Sequence, residues 1–287
     1  MATLHFKDQI NFVKGQPLFD AESLATTAVA NVPFRNLVRQ SFPQNSDTII
    51  TLKENVWISP DEAKKLTEKP LTLIDENGVE LASSCGEGND NEETIISQTS
   101  IIVRYAWDLL AINEAVIGAL TQNAIQGEVS PQAVIEGTVK IGAGTRILPG
   151  VYIEGNAIIG ENCKIGPNCY IRGNTAIGDH CHVGNAVEVK NSILGHHTNV
   201  GHLSYVGDTI IGDETNLGAG TITSNYRADK QNHHSMIDGE KINTGRRKFG
   251  SIIGHQVFTG INTSIYPGRK ITSGTMTLPG TMVIKDL

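Results

Sequence analysis

The sequence predicts a mainly β fold: a solenoid of short strands joined by tight turns, entered through one helix and preceded by a small α/β unit. Three observations predict it. Aliphatic residues recur every six positions, at Val129, Ile135, Ile141, Ile147, Ile153, Ile159, Ile165, Ile171, Ile177, Val183 and Val189. Many are followed by glycine, as in Ile141-Gly142, Ile159-Gly160, Ile165-Gly166, Ile177-Gly178 and Val183-Gly184. The fifth position of the hexad holds small residues: Thr145, Cys163, Cys169, Thr175 and Cys181. A helix repeats apolar residues near every 3.6 positions and a half-buried strand every second one, so a sustained period of six fits neither. Short strands separated by glycine turns do fit it.

After Val189 the phase slips by one residue and resumes at Leu194, Val200 and Val206, then slips again to Ile211 and Leu217. It returns at Ile253, Thr259, Ile265, Ile271, Thr277 and Val283. The interruption between Thr223 and Ser251 is too long for a turn, and an inserted loop (223–251) on a rigid scaffold is a common carrier of function. Before the repeats, YAWDLLAINEAVIGAL (105–120) places Leu109, Ile112, Val116 and Leu120 on one face of a helix. Further upstream, Thr48 to Leu52, Leu71 to Ile74 and Val79 to Ala82 read as strands, Glu76-Asn77-Gly78 as a turn and Asp61 to Glu68 as a helix. Cys85 to Glu93 reads as a flexible loop. The expected organisation is therefore a small α/β unit of unassigned role over 1–104, a linking helix over 105–126 and the solenoid over 127–287.

Composition narrows the function. A formal net charge of −7 argues against a general nucleic-acid binder, which needs clustered lysine and arginine. No apolar run approaches the roughly 20 residues of a bilayer span, and MATLHFKDQI lacks a signal-peptide core, so a cytoplasmic protein is expected. The four cysteines, Cys85, Cys163, Cys169 and Cys181, form no CxxC pair. Three share one repeat position and read as small buried thiols. Gly86-Glu87-Gly88 is followed by acidic residues, so it makes a poor phosphate loop.

The strings HVGNAVEVKNSILGHHTNVGHLSYVGD (182–208) and NLGAGTITSNYRAD (216–229) exceed what repeat upkeep requires. They resemble the acetyltransferase domain of the bifunctional N-acetylglucosamine-1-phosphate uridyltransferase/glucosamine-1-phosphate N-acetyltransferases. GRRKFGSIIGHQVFTGINTSIYPG (245–268) and WDLLAIN (107–113) are closer to archaeal-type sugar-1-phosphate nucleotidylyltransferases with the same C-terminal domain. The resemblance covers residues 105 to 287. It implies a left-handed parallel β-helix with three hexads per coil, a homotrimer with sites between subunits, acetyl-CoA as co-substrate, a sugar phosphate as acceptor and no metal. The nucleotidyltransferase half, with its glycine-rich nucleotide loop, has no evident counterpart in the first 104 residues, so no nucleotidyl transfer is expected. Nor does the basic C-terminal tail of the bacterial enzymes appear before Leu287.

The resemblance also implies roles, residue by residue. The acceptor amine attacks a thioester only when neutral, so a positioned base is needed, and His202 matches the family's base. Arg172, Lys190 and Lys248 match the phosphate-side cations. Arg172 and Lys190, 18 residues apart, should stack one coil above the other. Arg246 and Arg247 beside Lys248 are further candidates for phosphate. Tyr205, Asn216, Asn225 and Tyr226 match sugar, amine or phosphate contacts, although asparagines also stack in solenoid turns without a ligand. Ala219 matches the residue whose amide faces the acetyl group. Glucosamine 1-phosphate is the expected acceptor, with galacto epimers left open.

Two alternatives stand beside this reading. One is a non-catalytic β-helix that binds a sugar nucleotide or drives oligomerisation. The other is a γ-type carbonic anhydrase, for which His197 and His202 have suitable spacing. A third ligand is missing there, because Glu161, Asn162, His180 and His182 all fall at the wrong offsets.

Overall fold

The computed structural model describes residues 2–7, 14–19, 23–44, 46–85 and 93–287. The chain divides into two compact units, one of residues 1–15, 19–28 and 32–108, the other of 16–18, 29–31 and 109–287.

The first unit is a five-stranded sheet in the order Thr3–Lys7, Ile49–Lys53, Glu80–Cys85, Leu71–Ile74, Glu93–Ile96. Three of these strands overlap the stretches that the sequence marks as strands; Thr3–Lys7 and Glu93–Ile96 do not. Helix α1 (Phe34–Gln40) also escaped the sequence reading, while α2 (Pro60–Glu68) sits where it was expected. The Glu76-Asn77-Gly78 turn forms because Asp75 Oδ1 accepts the N–H groups of Asn77 and Val79, both at 2.9 Å, and Gly78 takes φ +80°. Most of the expected 85–93 loop, with Gly86-Glu87-Gly88, lies outside the described residues.

The second unit is the solenoid. Its strands form three parallel sheets of eight, seven and eight strands, and every third strand pairs with the one a coil away. The hexad aliphatics form one internal column: from Ile141 to Val189 each is 2% exposed or less, and Val129 and Ile135 pack against its end. Cys163, Cys169 and Cys181 are buried as the repeat predicted, and burial pushes the Cys169 thiol up to about 12. Paired residues are 18 apart through Arg172↔Lys190 but 17 apart at Ala176↔Ile193, Val189↔Val206 and Ile193↔Ile210. The two phase slips in the sequence are therefore two coils shortened by one residue, at the corner where the third face turns back to the first.

Helix α3 (Asp108–Gly118) precedes the solenoid and is shorter than the 105–126 stretch, which also holds the first solenoid strand, Ala124–Ile125. It is fixed by side-chain amides: Asn113 Nδ2 donates to Asn174 O at 2.8 Å, and Asn156 Nδ2 donates to Ile117 O at 3.0 Å. The short segments 16–18 and 29–31 belong to this unit because His255 Nε2 donates to Leu18 O at 3.0 Å and Asn31 Nδ2 to Ile177 O.

Candidate functional site

At the shortened corner the backbone turns through a column of left-handed residues, Gly155 (φ +85°), Gly173 (+65°), Asn191 (+48°) and Asp208 (+49°). Asparagine and aspartate tolerate this conformation better than other residues with side chains. Unlike glycine, they also place a polar group at the corner. The next coil puts Asn225 there, and the 223–251 insertion leaves the solenoid from that position. Its other end is pinned by three backbone contacts: Phe249 N–H to Asn225 O at 3.0 Å, Gly250 N–H to Asp208 O at 2.8 Å, and a bridge between Tyr226 and Lys248. Between these ends the insertion is an antiparallel hairpin, His234–Ile237 with Glu240–Asn243.

This arrangement makes a groove of about 630 Å³ lined by Arg172, Lys190, Tyr205, Asn225, Tyr226, Arg247 and Lys248. Six of the seven acceptor-contact residues expected from sequence thus meet in one place. Arg172 and Lys190 are register partners on the third face, as the 18-residue spacing required. Lys248, despite the insertion before it, returns beside Tyr226. Four cations in one groove favour an anion, and a forked guanidinium suits a phosphate.

Each third-face cation is held by a carboxylate. Arg172 Nε lies 2.7 Å from Glu188 Oε1, which raises its basicity; among the described residues its two terminal nitrogens make no ion pair. Lys190 Nζ lies 2.8 Å from Asp208 Oδ2. The Asp208 side chain is only 3% exposed and also accepts from Asn191 Nδ2 at 3.0 Å and from Asn225 Nδ2 at 2.5 Å. Asn225 Nδ2 donates to Tyr205 Oη at 2.9 Å as well. Burial, with the Asp208 charge next, pushes the Tyr205 phenol above its ordinary pKa, so it remains a proton donor near neutrality. Gly207 keeps this cluster open: a Cβ there would stand 2.7 Å from Asn225 Nδ2 and closer still to Tyr205 Oη.

His202, Ala219 and Asn216 do not line the groove. His202 ends the second-face strand Asn199–His202, exposed, one strand position above Asn185. Ala219 occupies the equivalent place one coil on, as the Val200↔Leu217 pairing fixes and the bond from Gly220 N–H to His202 O (3.2 Å) reflects. Asn216 pairs with Asn199 and Phe258 on the second face. His202 and Ala219 thus stack at the corner between second and third faces, across the third face from Asp208. His197 turns at φ +56° between the first and second faces and stacks on His180, with ring centroids 4.7 Å apart. The histidine pair of the zinc alternative is therefore split across the two ends of one strand.

Sequence reasoning missed Asp208, Glu188 and Glu114, which hold residues it had named, and Asn191, which links Glu114 to Asp208. The phase slips after Val189 and Val206 were the available signal, since Asn191 and Asp208 are the corner residues of the two shortened coils.

A parallel β-solenoid of hexad repeats with a cation-lined groove defines the class of protein: a solenoid scaffold carrying a cationic groove at a coil corner. Comparison with known proteins makes this more particular. Residues 153–265 match the family model described as the GMPPB C-terminal domain. The chain is 36% identical over 255 residues to the bifunctional protein GlmU of Methanococcus aeolicus, covering 89% of this chain and 59% of that protein. It is 32% identical over 256 residues to the bifunctional sugar-1-phosphate nucleotidylyltransferase/acetyltransferase of Sulfurisphaera tokodaii, covering 89% and 61%. The crystal structure of the polySia-specific acetyltransferase NeuO superposes with a TM-score of 0.30 at 19% identity, over 58% of this chain and 78% of that one. The chain is thus similar to bifunctional sugar-1-phosphate nucleotidylyltransferase/acetyltransferases, and it spans about three fifths of the length of these curated relatives. One expectation is corrected: an alignment of 255 residues is longer than the stretch 105–287, so the likeness reaches into the first 104 residues.

Proposed function

We propose that this protein is an N-acetyltransferase that moves acetyl from acetyl-CoA to the amine of a hexosamine 1-phosphate, with glucosamine 1-phosphate as the acceptor. The observation that carries the reading is the groove, where Arg172, Lys190, Arg247 and Lys248 surround Tyr205, Asn225 and Tyr226. A sugar phosphate suits it chemically, with a dianion for the cations and hydroxyls for the phenol and amide groups.

In this reading the neutral amine attacks the acetyl carbon, His202 takes the proton released from nitrogen, and the tetrahedral intermediate's oxyanion is met by the Ala219 amide. Collapse breaks the carbon–sulfur bond, and coenzyme A leaves as its thiol once the thiolate takes up the proton that His202 accepted from nitrogen. Asn216, on the same face as His202, contacts the sugar or its amine. His202 and Ala219 share a corner across one face from the phosphate cations, so an acceptor lying over the third face spans the two. A homotrimer, with acetyl-CoA held between neighbouring solenoids, and a cytoplasmic setting complete the proposal. Among the described residues no helix is long and apolar enough to cross a membrane.

The test is thiol release from acetyl-CoA with glucosamine 1-phosphate, with galactosamine 1-phosphate and free glucosamine as comparators. Rapid release with the phosphorylated amino sugars and little with free glucosamine is expected. Equal rates with and without the phosphate would sink the reading.

A further inference from the structure

We propose that Glu114 of α3 is a positioning residue for the acceptor's phosphate, and that Arg247, not Arg246, joins Lys248 on that phosphate. The inference rests on the sugar-phosphate reading of the groove. It starts from the three adjacent cations with which the insertion returns, Arg246, Arg247 and Lys248. Arg247 and Lys248 are exposed and line the groove. Arg246 is turned the other way: its terminal nitrogens grip the Glu114 carboxylate, Nη1 to Oε2 at 3.4 Å and Nη2 closer to Oε1. Its side chain is 18% exposed, and its Nε is buried with no acceptor. A guanidinium committed in this way would strand Glu114 if it swung to the groove.

Glu114 does not end the chain of contacts. Its Oε1 also accepts from Asn191 Nδ2 at 2.6 Å, and the same amide donates to Asp208 Oδ1 at 3.0 Å. Asp208 in turn holds Lys190 and Asn225. One connected series, Arg246, Glu114, Asn191, Asp208, Lys190, therefore ties the two sides of the groove together through a helix residue that does not itself line the groove. The insertion supplies Arg247 and Lys248 on one side and the solenoid supplies Arg172 and Lys190 on the other. Glu114 sets the distance between them.

The sign of the effect separates positioning from simple electrostatics. Glu114 is an anion near a phosphate site, so if its charge merely acted through space, neutralising it would tighten phosphate binding. If it positions Arg247 and Lys248, neutralising it weakens binding. Glu114→Gln keeps the shape and the Oε1 acceptor that Asn191 uses, while removing the negative charge that pairs with Arg246 and the second acceptor oxygen.

The experiment measures kcat and KM for glucosamine 1-phosphate, KM for acetyl-CoA, and amide hydrogen exchange over 244–249. The variants are Glu114→Gln, Arg246→Met, the double variant and Arg247→Met. Glu114→Gln and Arg246→Met should each raise the acceptor KM about tenfold, as loss of a charge-assisted pair does. They should leave the acetyl-CoA KM unchanged and speed exchange over 244–249. The double variant should be no worse than either single one, since both remove the same contact. Arg247→Met should raise the acceptor KM without changing exchange. An unchanged or lowered KM in Glu114→Gln overturns the proposal, as do additive effects in the double variant or a silent Arg247→Met. If the wild-type protein releases no thiol with glucosamine 1-phosphate, the acetyl-transfer reading fails. The positioning claim is then decided by inorganic-phosphate titration and exchange on the same variants: weaker phosphate binding with faster exchange upholds it, and unchanged phosphate affinity overturns it.

Discussion

Lys190→Ala and Arg172→Ala remove cations that stack one coil apart and face the same groove, yet they should differ sharply in stability. Lys190 Nζ pairs with Asp208, and the two side chains are 14% and 3% exposed. Arg172 pairs with Glu188, at 36% and 32%. Removing one member of a buried pair costs about 3–5 kcal/mol, because the other charge is left unsolvated. Asp208 keeps the Asn191 and Asn225 amides, worth roughly 1 kcal/mol each, so the net loss for Lys190→Ala should be about 1–3 kcal/mol. Glu188 can rehydrate, so Arg172→Ala should cost less than about 1 kcal/mol. In urea unfolding at neutral pH this is a midpoint lower by about 1 M for Lys190→Ala and a barely shifted midpoint for Arg172→Ala. Both variants should weaken the acceptor, read as a raised KM. Asp208→Asn introduced into Lys190→Ala should restore part of the lost midpoint by removing the stranded charge. Equal midpoints for the two single variants, or no recovery in the double one, would refute the view that Asp208 is a buried anchor.

Three further outcomes are expected. His202→Ala should lower kcat by about 10²–10⁴-fold while melting and acetyl-CoA binding stay near wild type, because the side chain is exposed and leaves no cavity; a near wild-type kcat would remove His202 from the mechanism. Gly207→Ala should raise the acceptor KM by displacing Tyr205 and Asn225 while the solenoid stays folded, checked by steady-state kinetics beside circular dichroism. In the first unit, burial pushes the Glu62 carboxyl up, but donors from Ser100, Gln98, Ser97 and Thr99 outweigh it and hold its pKa below the usual carboxylate value. A depressed folded pKa contributes stability above the unfolded pKa that is lost as pH falls through the folded one, so Glu62→Gln should destabilise at pH 7 and approach wild type below about pH 4; a pH-independent difference would count against this.

The solenoid was legible because its signal is redundant. Each coil repeats the same demand, an aliphatic residue inward every six positions, and Ile141 to Val189 met it at every step. The first unit carried no such repetition. Thr3–Lys7 alternates half-buried and exposed residues and has no fully buried position, unlike Leu71–Ile74, and its place at the sheet edge is set by pairing with Ile49–Lys53, a contact the local sequence does not encode. Helix α1 begins at Phe34 directly after Pro33 with no side-chain cap, so the usual start signal was missing.

The groove was half legible, and the division follows from what each kind of residue does. Arg172, Lys190, Tyr205, Asn225 and Tyr226 could be named because they resemble a motif whose spacing survives in the repeat, and Lys248 by resemblance despite the insertion before it. The residues that hold them have no motif. Glu114 meets Arg246 across 132 residues of sequence, and Asn191 meets Glu114 across 77. Such pairs exist only once the coils are stacked and the insertion has returned. What the sequence did contain was the irregularity. A one-residue deletion in a solenoid coil tightens a corner, and a tight corner wants Gly, Asn or Asp in the left-handed region. When Asn and Asp are chosen over Gly, the corner carries a polar side chain at a smaller conformational cost than other side chains would incur. Here the two such corners, Asn191 and Asp208, form the floor from which Lys190 and Asn225 are held. In a repeat protein of this kind, the coil that breaks the period is therefore the place to look for the site, and the polar residue at the break is the one to test for positioning.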